Sequence, residues 1–345
     1  MMKHTVVLFV LGLFLSLLTA CDRKPLYLLD ETAVRVTVVS YASIDELWGA
    51  SWRDSLLYEW DEKSYGTIGY TLPKTAESYI ISEDSVSHEG LFYVDGRHNL
   101  CNMDMYTPYK LLLHTADHGL ITDDISAEDV TIQLSEMLKK TTAQSGEIFR
   151  AYNPDIFITE EDIMSEQFID GVWTSVYNIR MYMQPVSWIY IIQFVIKDDI
   201  DNPEVMSVDG IHITGMSSGV ELYQRKKLPY DGNLLLCTDD IKPFQTMRNH
   251  NISACRVTTF GAAEYESGSS WSSDRPDNIA DISVTSRQLG PVTIQTDLSP
   301  QFIRRPYGGI ITVYIDGTKL VDEVKNGWWK IDVTEWNDII RDIII

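Results

Sequence analysis

Residues 187–197, Ser-Trp-Ile-Tyr-Ile-Ile-Gln-Phe-Val-Ile-Lys, form the most hydrophobic stretch of the chain after its leader-like first 21 residues. Eleven residues fall short of the ~20 that a helix needs to cross a bilayer. β-Branched and aromatic side chains dominate the run, and these suit a pleated strand better than a helix. It therefore reads as a strand buried in a core. A fold built around such a strand needs sheets, and strand-like segments recur along the sequence. Val34, Val36 and Val38 alternate with Arg35 and Thr37. Residues 55–60, 66–72 and 90–94 read as strands, the last closed by Asp95-Gly96. Residues 129–134 alternate again, and 172–183 are aromatic and β-rich. Residues 209–216 read as a turn and a strand. Residues 310–315 and 319–324 flank Asp316-Gly317 and read as a hairpin. Residues 328–333 read as a strand, and 335–345 as a short helix or an added strand. One helix is expected around 44–48.

Turn signals at intervals of roughly 8–12 residues, with scant helical periodicity, indicate β-sandwiches. No repeat of fixed period argues for a propeller or solenoid. No alternating series is long enough for a membrane barrel. The polar stretch 139–146, Lys-Lys-Thr-Thr-Ala-Gln-Ser-Gly, reads as a boundary. The expected organisation is all-β: a leader over 1–20, then tandem β-sandwich domains over 21–141 and 146–345.

The leader is itself informative. Lys3 and His4 precede an apolar run over 6–18, and Leu18-Thr19-Ala20-Cys21 follows. A basic start, an apolar core and small residues before the cut make a secretory signal. A cysteine at the cut matches a lipobox, in which the Cys21 thiol is acylated and becomes the mature N-terminus. Each buried methylene contributes ~0.8 kcal/mol, and stable anchoring takes two chains. The alternative is an ordinary signal peptide whose cysteine is coincidental.

Charge narrows the partners. Against 50 Asp and Glu stand 28 Lys and Arg, a formal net charge of −22. Such a surface repels phosphate backbones, which argues against nucleic-acid binding. It also argues against a polybasic membrane contact, leaving the acyl chains as the anchor. With 44% hydrophobic and 11% aromatic residues the chain can fill real cores and is not disordered. Apart from Cys21 the cysteines are Cys101, Cys237 and Cys255. Three buried or unpaired thiols are the simpler reading; if one bridge forms, Cys237 and Cys255 are the better pair. No Cys/His spacing fits structural zinc.

Candidate sites are sparse. His114-Thr115-Ala116-Asp117-His118 would face one metal on a helix. The leucines before it read instead as a strand running into a loop. Asp198, Asp199 and Asp201 supply oxygen ligands of the kind calcium takes. They lack the glycine and closing glutamate of an EF loop, and a solvated turn is the simpler reading. Glu160-Glu161-Asp162 suit the positive end of a helix. Trp48, Trp52 and Trp60, with Tyr58, Tyr65 and Tyr70, make an aromatic-rich stretch. Exposed tryptophans beside carboxylates stack on sugar rings, whereas packed ones serve a core. No nucleophile elbow, Walker loop or dinucleotide fingerprint is present. No enzymatic activity and no cofactor is expected.

Three stretches carry a resemblance. One is Cys21-Asp22-Arg23-Lys24-Pro25-Leu26-Tyr27 with the valine-alternating strand after it. The second is 208–220, Val-Asp-Gly-Ile-His-Ile-Thr-Gly-Met-Ser-Ser-Gly-Val. The third is 328–336, Trp-Trp-Lys-Ile-Asp-Val-Thr-Glu-Trp. Together they resemble Bacteroidales lipoproteins of the fimbrillin superfamily, the subunits and anchors of type V pili. The resemblance implies tandem β-sandwiches held at the outer-membrane surface by acylated Cys21. It implies fimbrial subunits as partners, joined by strand donation. Shaft subunits are trimmed after an arginine. A retained Cys21 departs from that pattern and fits an anchor or accessory subunit. A glycan-binding surface lipoprotein, using Trp48, Trp52 and Trp60, is the alternative.

Overall fold

A computed structural model of the chain describes residues 33–44, 55–115, 120–122, 125–135, 144–163, 166–169, 172–199, 201–228, 236–247, 250–263 and 277–325. The leader, Cys21, Trp48, Trp52 and the strand expected over 328–333 lie outside these residues, as does nearly all of the helix expected at 44–48.

The described chain is all-β, as its patterning requires. The first ten strands are β1 (Ala33–Ala42), β2 (Thr75–Ile81), β3 (Val86–Tyr93), β4 (Asp95–Asp104), β5 (Pro108–His114), β6 (Leu120–Thr122), β7 (Thr131–Leu134), β8 (Phe149–Phe157), β9 (Glu166–Ile169) and β10 (Val172–Pro185). The next ten are β11 (Trp188–Lys197), β12 (Val205–Ile213), β13 (Gly219–Glu221), β14 (Lys226–Lys227), β15 (Leu236–Thr238), β16 (Gln245–Met247), β17 (His250–Thr259), β18 (Ile279–Ser286), β19 (Gly290–Asp297) and β20 (Gly309–Asp316). Short helices occupy Glu62–Tyr65, Ser299–Arg304 and Gly317–Lys325.

The chain forms two compact units, and the division falls within β1, β4 and β10. In the smaller unit Val34, Val36, Cys101, Met103, Ile158 and Ile179 are buried. The Cys101 thiol donates to the Val36 carbonyl at 3.8 Å. β9 and β10 pair antiparallel from Val172↔Ile169 to Ser175↔Glu166. Glu160–Asp162 is a 3-10 turn, capped at Thr159 as the acidic first turn anticipates.

The larger unit contains a β-sandwich. One sheet is ordered β16-β17-β11-β20 and the other β15-β12-β18-β19. Tyr190, Ile192, Phe194 and Ile196 of β11 share a core with Cys255 and Val257 of β17. Ile211 and Ile213 of β12 and Ile282 and Val284 of β18 belong to the same core. β11 pairs antiparallel with β17 over its whole length and parallel with β20 from Tyr190↔Gly309 to Lys197↔Asp316. A parallel neighbour needs a crossover. The helix Ser299–Arg304 lies in the connection from β19 to β20, and its buried Phe302 stacks against Tyr190 at 5.0 Å.

The second face of β11, bearing Ile189, Ile191, Gln193 and Val195, is also buried. The segment 55–71 is tied to the sheet on this side. Its backbone bonds go to side chains and not to a neighbouring strand, so the strands expected over 55–60 and 66–72 do not form. Leu57 N donates to Gln193 Oε1 at 2.8 Å, and Gln193 Nε2 donates to Ser55 O at 3.1 Å. Glu59 exchanges two bonds with the Gln245 amide, each 2.7 Å. Arg256 donates to Ile68 O and Gly69 O and is paired with Glu147. Tyr58 and Tyr70 bury their rings and donate to Pro243 O and Ser187 O.

The hairpin expected over 310–324 is likewise replaced. β20 forms, but a helix follows it. Asp316 Oδ1 accepts from Thr318 N at 3.1 Å, as a helix N-cap does. Leu320 and Val324 then fall on one helical face against the core. A Cβ at Gly317 would press on the Asp198 carboxylate, which Glu204 N and Val205 N hold in place.

Gln193→Leu keeps the bulk of β11 but strips partners from Leu57 N and Ser55 O. Leaving buried polar groups unpaired costs ~1–3 kcal/mol, and these partly buried ones fall at the lower end. Urea denaturation should show a loss of that size; a loss under ~0.5 kcal/mol, the range of an inert surface change, would contradict the bridging role.

Candidate functional site

The loop between β13 and β14 shapes a concave site. Glu221 pairs with Lys226, so residues 222–225 make the turn. The Glu221 carboxylate accepts from Tyr223 N at 2.6 Å and Gln224 N at 2.5 Å. Arg225 closes the turn at φ 58°. This left-handed conformation costs a non-glycine residue ~1–2 kcal/mol. It carries the guanidinium back to the end of β10, where it donates to Gln184 Oε1 at 2.8 Å and Pro185 O at 3.0 Å. The guanidinium carbon lies 6.0 Å from the Trp188 ring centroid. Lys227 reaches Ala262 O and Pro306 O at 3.4 Å and stands 6.0 Å from the Tyr307 ring. Trp188 and Tyr307 meet edge to face at 5.1 Å.

These groups, with Gln184 and Gln224, line a cleft of about 470 Å3 whose remaining wall is apolar. Among the described residues no carboxylate lines it. Arg150 supports the turn from behind, donating to Leu222 O and Tyr223 O at 2.7 Å. Burial, then the neighbouring Arg225 charge, brings Arg150 down to about 10. Burial lowers Arg225 as well. Arg150 keeps its charge at neutral pH, so its guanidinium and that of Arg225 interact within the turn.

A second constellation lies on β2, β3 and β5. The Tyr79 ring stacks on His88 at 4.8 Å and on His114 at 5.5 Å. His88 is exposed and pairs with Glu77 at 2.5 Å. His114 is buried; its Nδ1 is 3.3 Å from Thr115 O, and its Nε2 has no partner among the described residues. Burial pushes its imidazole below the ordinary histidine value, against a smaller opposing effect of Glu77. This arrangement packs a neutral ring. The proposed metal partners Asp117 and His118 lie outside the described residues, among which no group of three metal-ligating side chains occurs.

The remaining expectations resolve individually. Trp60 donates its indole N–H to Gly66 O at 3.0 Å and packs edge-on against Tyr58. Trp48 and Trp52 lie outside the described residues, so of the three tryptophans only Trp60 is placed. Asp198 turns inward to accept from Glu204 N and Val205 N at 2.7 and 2.8 Å, and Asp199 accepts from Asp201 N. The acidic turn thus satisfies its own backbone. Cys255 is a free thiol buried in the core, as the reading of unpaired thiols has it, and the alternative Cys237–Cys255 bridge is not formed. Cys255 lies on β17 opposite Ile192 of β11, while Cys237 lies on β15, opposite His212 in the other sheet.

No family profile matches the chain, and no curated protein does. Solved structures do show a likeness. A candidate adhesin from Bacteroides ovatus is 10% identical at a TM-score of 0.47, covering 83% of this chain and 92% of its own. A protein described as a candidate polysaccharide-binding protein from Bacteroides thetaiotaomicron is 9% identical at 0.41, covering 82% and 90%. The tip fimbrial protein Mfa3 from Porphyromonas gingivalis is 9% identical at 0.33, covering 77% and 81%.

Two measurements check the buried groups. A histidine held below its unfolded value contributes stability that is present above pH ~6.5 and is lost as pH falls through that value. Wild-type stability relative to His114→Phe should therefore fall between pH 7.5 and 5.5 in urea titrations. A constant difference would contradict a neutral buried His114. Burial raises the Cys255 thiol, so it should resist thiol reagents in the native protein and label in denaturant without reductant. Labelling only after reduction would restore the disulfide.

Proposed function

We propose that this chain is a lipid-anchored protein of the outer-membrane surface, an anchor or accessory subunit of a fimbria that joins its partner by strand addition. The observation that carries the reading is the rim at β3. Among the described residues this strand ends an eight-stranded sheet, and Val86 and Leu91 on it are 40% and 61% exposed. The rim ends at Tyr93, whose N–H and carbonyl are bonded to the Asn99 amide at 2.7 and 2.9 Å. Exposed apolar edges recruit further strands, and natural proteins blunt them unless a partner covers them. An incoming strand gains affinity from main-chain bonds and register from side-chain pockets.

The leader supplies the other half of the reading. Acylation at Cys21 would moor the folded body and leave the rim to engage a fimbrial subunit. The work is mechanical, and no catalytic constellation is needed for it.

Two variants test the halves separately. Cys21→Ala should move the protein from the membrane fraction to the soluble fraction; persistent membrane association would contradict the anchor. Val86→Lys with Leu91→Lys changes exposed positions and should cost within ~0.5 kcal/mol of stability. The protein should stay at the membrane yet disappear from surface fibres in immunoelectron microscopy. Undiminished incorporation would contradict the β3 rim as the joint.

A further inference from the structure

The cleft beside β13 and β14 differs from the rest of the chain in charge. The sequence holds 50 acidic residues against 28 basic ones, yet among the described residues the cleft wall presents Arg225 and Lys227 and no carboxylate. The carboxylate on its rim loop, Glu221, is committed to the backbone of that loop. The hydrogen bonds that position Arg225 go to neutral acceptors, Gln184 Oε1 and Pro185 O. A strained turn therefore holds a cation at the mouth of a concave site, and strain of this kind is kept where a function uses it.

We propose that this cleft binds a carboxylated sugar, such as a uronate unit of an acidic polysaccharide. The cations supply the carboxylate recognition, for which a guanidinium fork is well shaped. The Trp188 and Tyr307 rings supply the rest. Tyr307 is 62% exposed and meets Trp188 at 61° between ring planes, so the two offer flat apolar faces at an angle. Aromatic faces with a polar tip suit a ligand that is apolar on its C–H face and wet at its hydroxyls. Gln224 adds an amide at the rim. The volume of about 470 Å3 lies within the roughly 300–1,000 Å3 usual for small-ligand sites. A bare anion would use the cations but not the rings, and a neutral glycan would use the rings but not the cations.

The site lies apart from β3 in sequence, and its test needs no fibre. Isothermal titration of the purified full chain at low salt compares trigalacturonate, neutral trigalactose and citrate. Trigalacturonate should bind at least about tenfold more tightly than either control, a difference of one decade in Kd. Arg225→Gln with Lys227→Gln should remove that preference while far-UV circular dichroism is unchanged. Should the double variant misfold, Tyr307→Ala, at an exposed ring, should weaken trigalacturonate about tenfold and leave citrate unaffected. Absence of trigalacturonate binding overturns the proposal. So does equal binding of trigalactose or citrate, or full affinity in the folded variants.

Discussion

Strand β11 is covered on both faces, and the larger unit is arranged around that requirement. One face packs Tyr190, Ile192, Phe194 and Ile196 into the sandwich core. The other carries buried Ile189, Ile191 and Val195, and the segment 55–71 is hydrogen-bonded to this side through Gln193 and Arg256. Gln193 is the polar break in this second face, and its amide bonds Leu57 N, Ser55 O and the Thr312 hydroxyl. A buried amide that meets three partners is worth keeping; one that meets none is costly. The same residue thus joins β11 to β20 and to the strap. Arg256 and Glu147 repeat the device beside it.

This construction also places the cleft. Trp188 opens β11, and Tyr307 lies two residues before β20, which runs parallel to β11. Parallel pairing brings the starts of both strands to the same end of the sheet. The β13–β14 turn then brings Arg225 and Lys227 to that end. Rigid strands hold the rings, and a strained turn held by Arg150 and Glu221 positions the cations.

Much of the fold was legible in the sequence. Alternation gave β1, and the apolar run over 187–197 matches β11 within one residue. What misled was local pattern without knowledge of partners. Residues 55–60 have strand-forming side chains, but their backbone groups bond Gln193 and Gln245, residues more than 130 positions away. Residues 319–324 read as a return strand because Asp316-Gly317 is a common hairpin turn. The same two residues start a helix once β20 lies parallel to its neighbour. The cleft was not legible at all: its rings and cations lie between positions 184 and 307 and follow no motif. Nor does an arginine at positive φ announce itself as a glycine would. The tryptophans that attracted attention lie earlier, and Trp60 spends its indole N–H on Gly66.

The claim that the sheet edge at β3 is a joint between polypeptides is open to one direct measurement. A photo-cross-linking side chain at Leu91, activated on living cells, should capture a fimbrial subunit in a discrete adduct. The same group at exposed Lys319 should not. Equal or absent capture at the two positions would contradict the account.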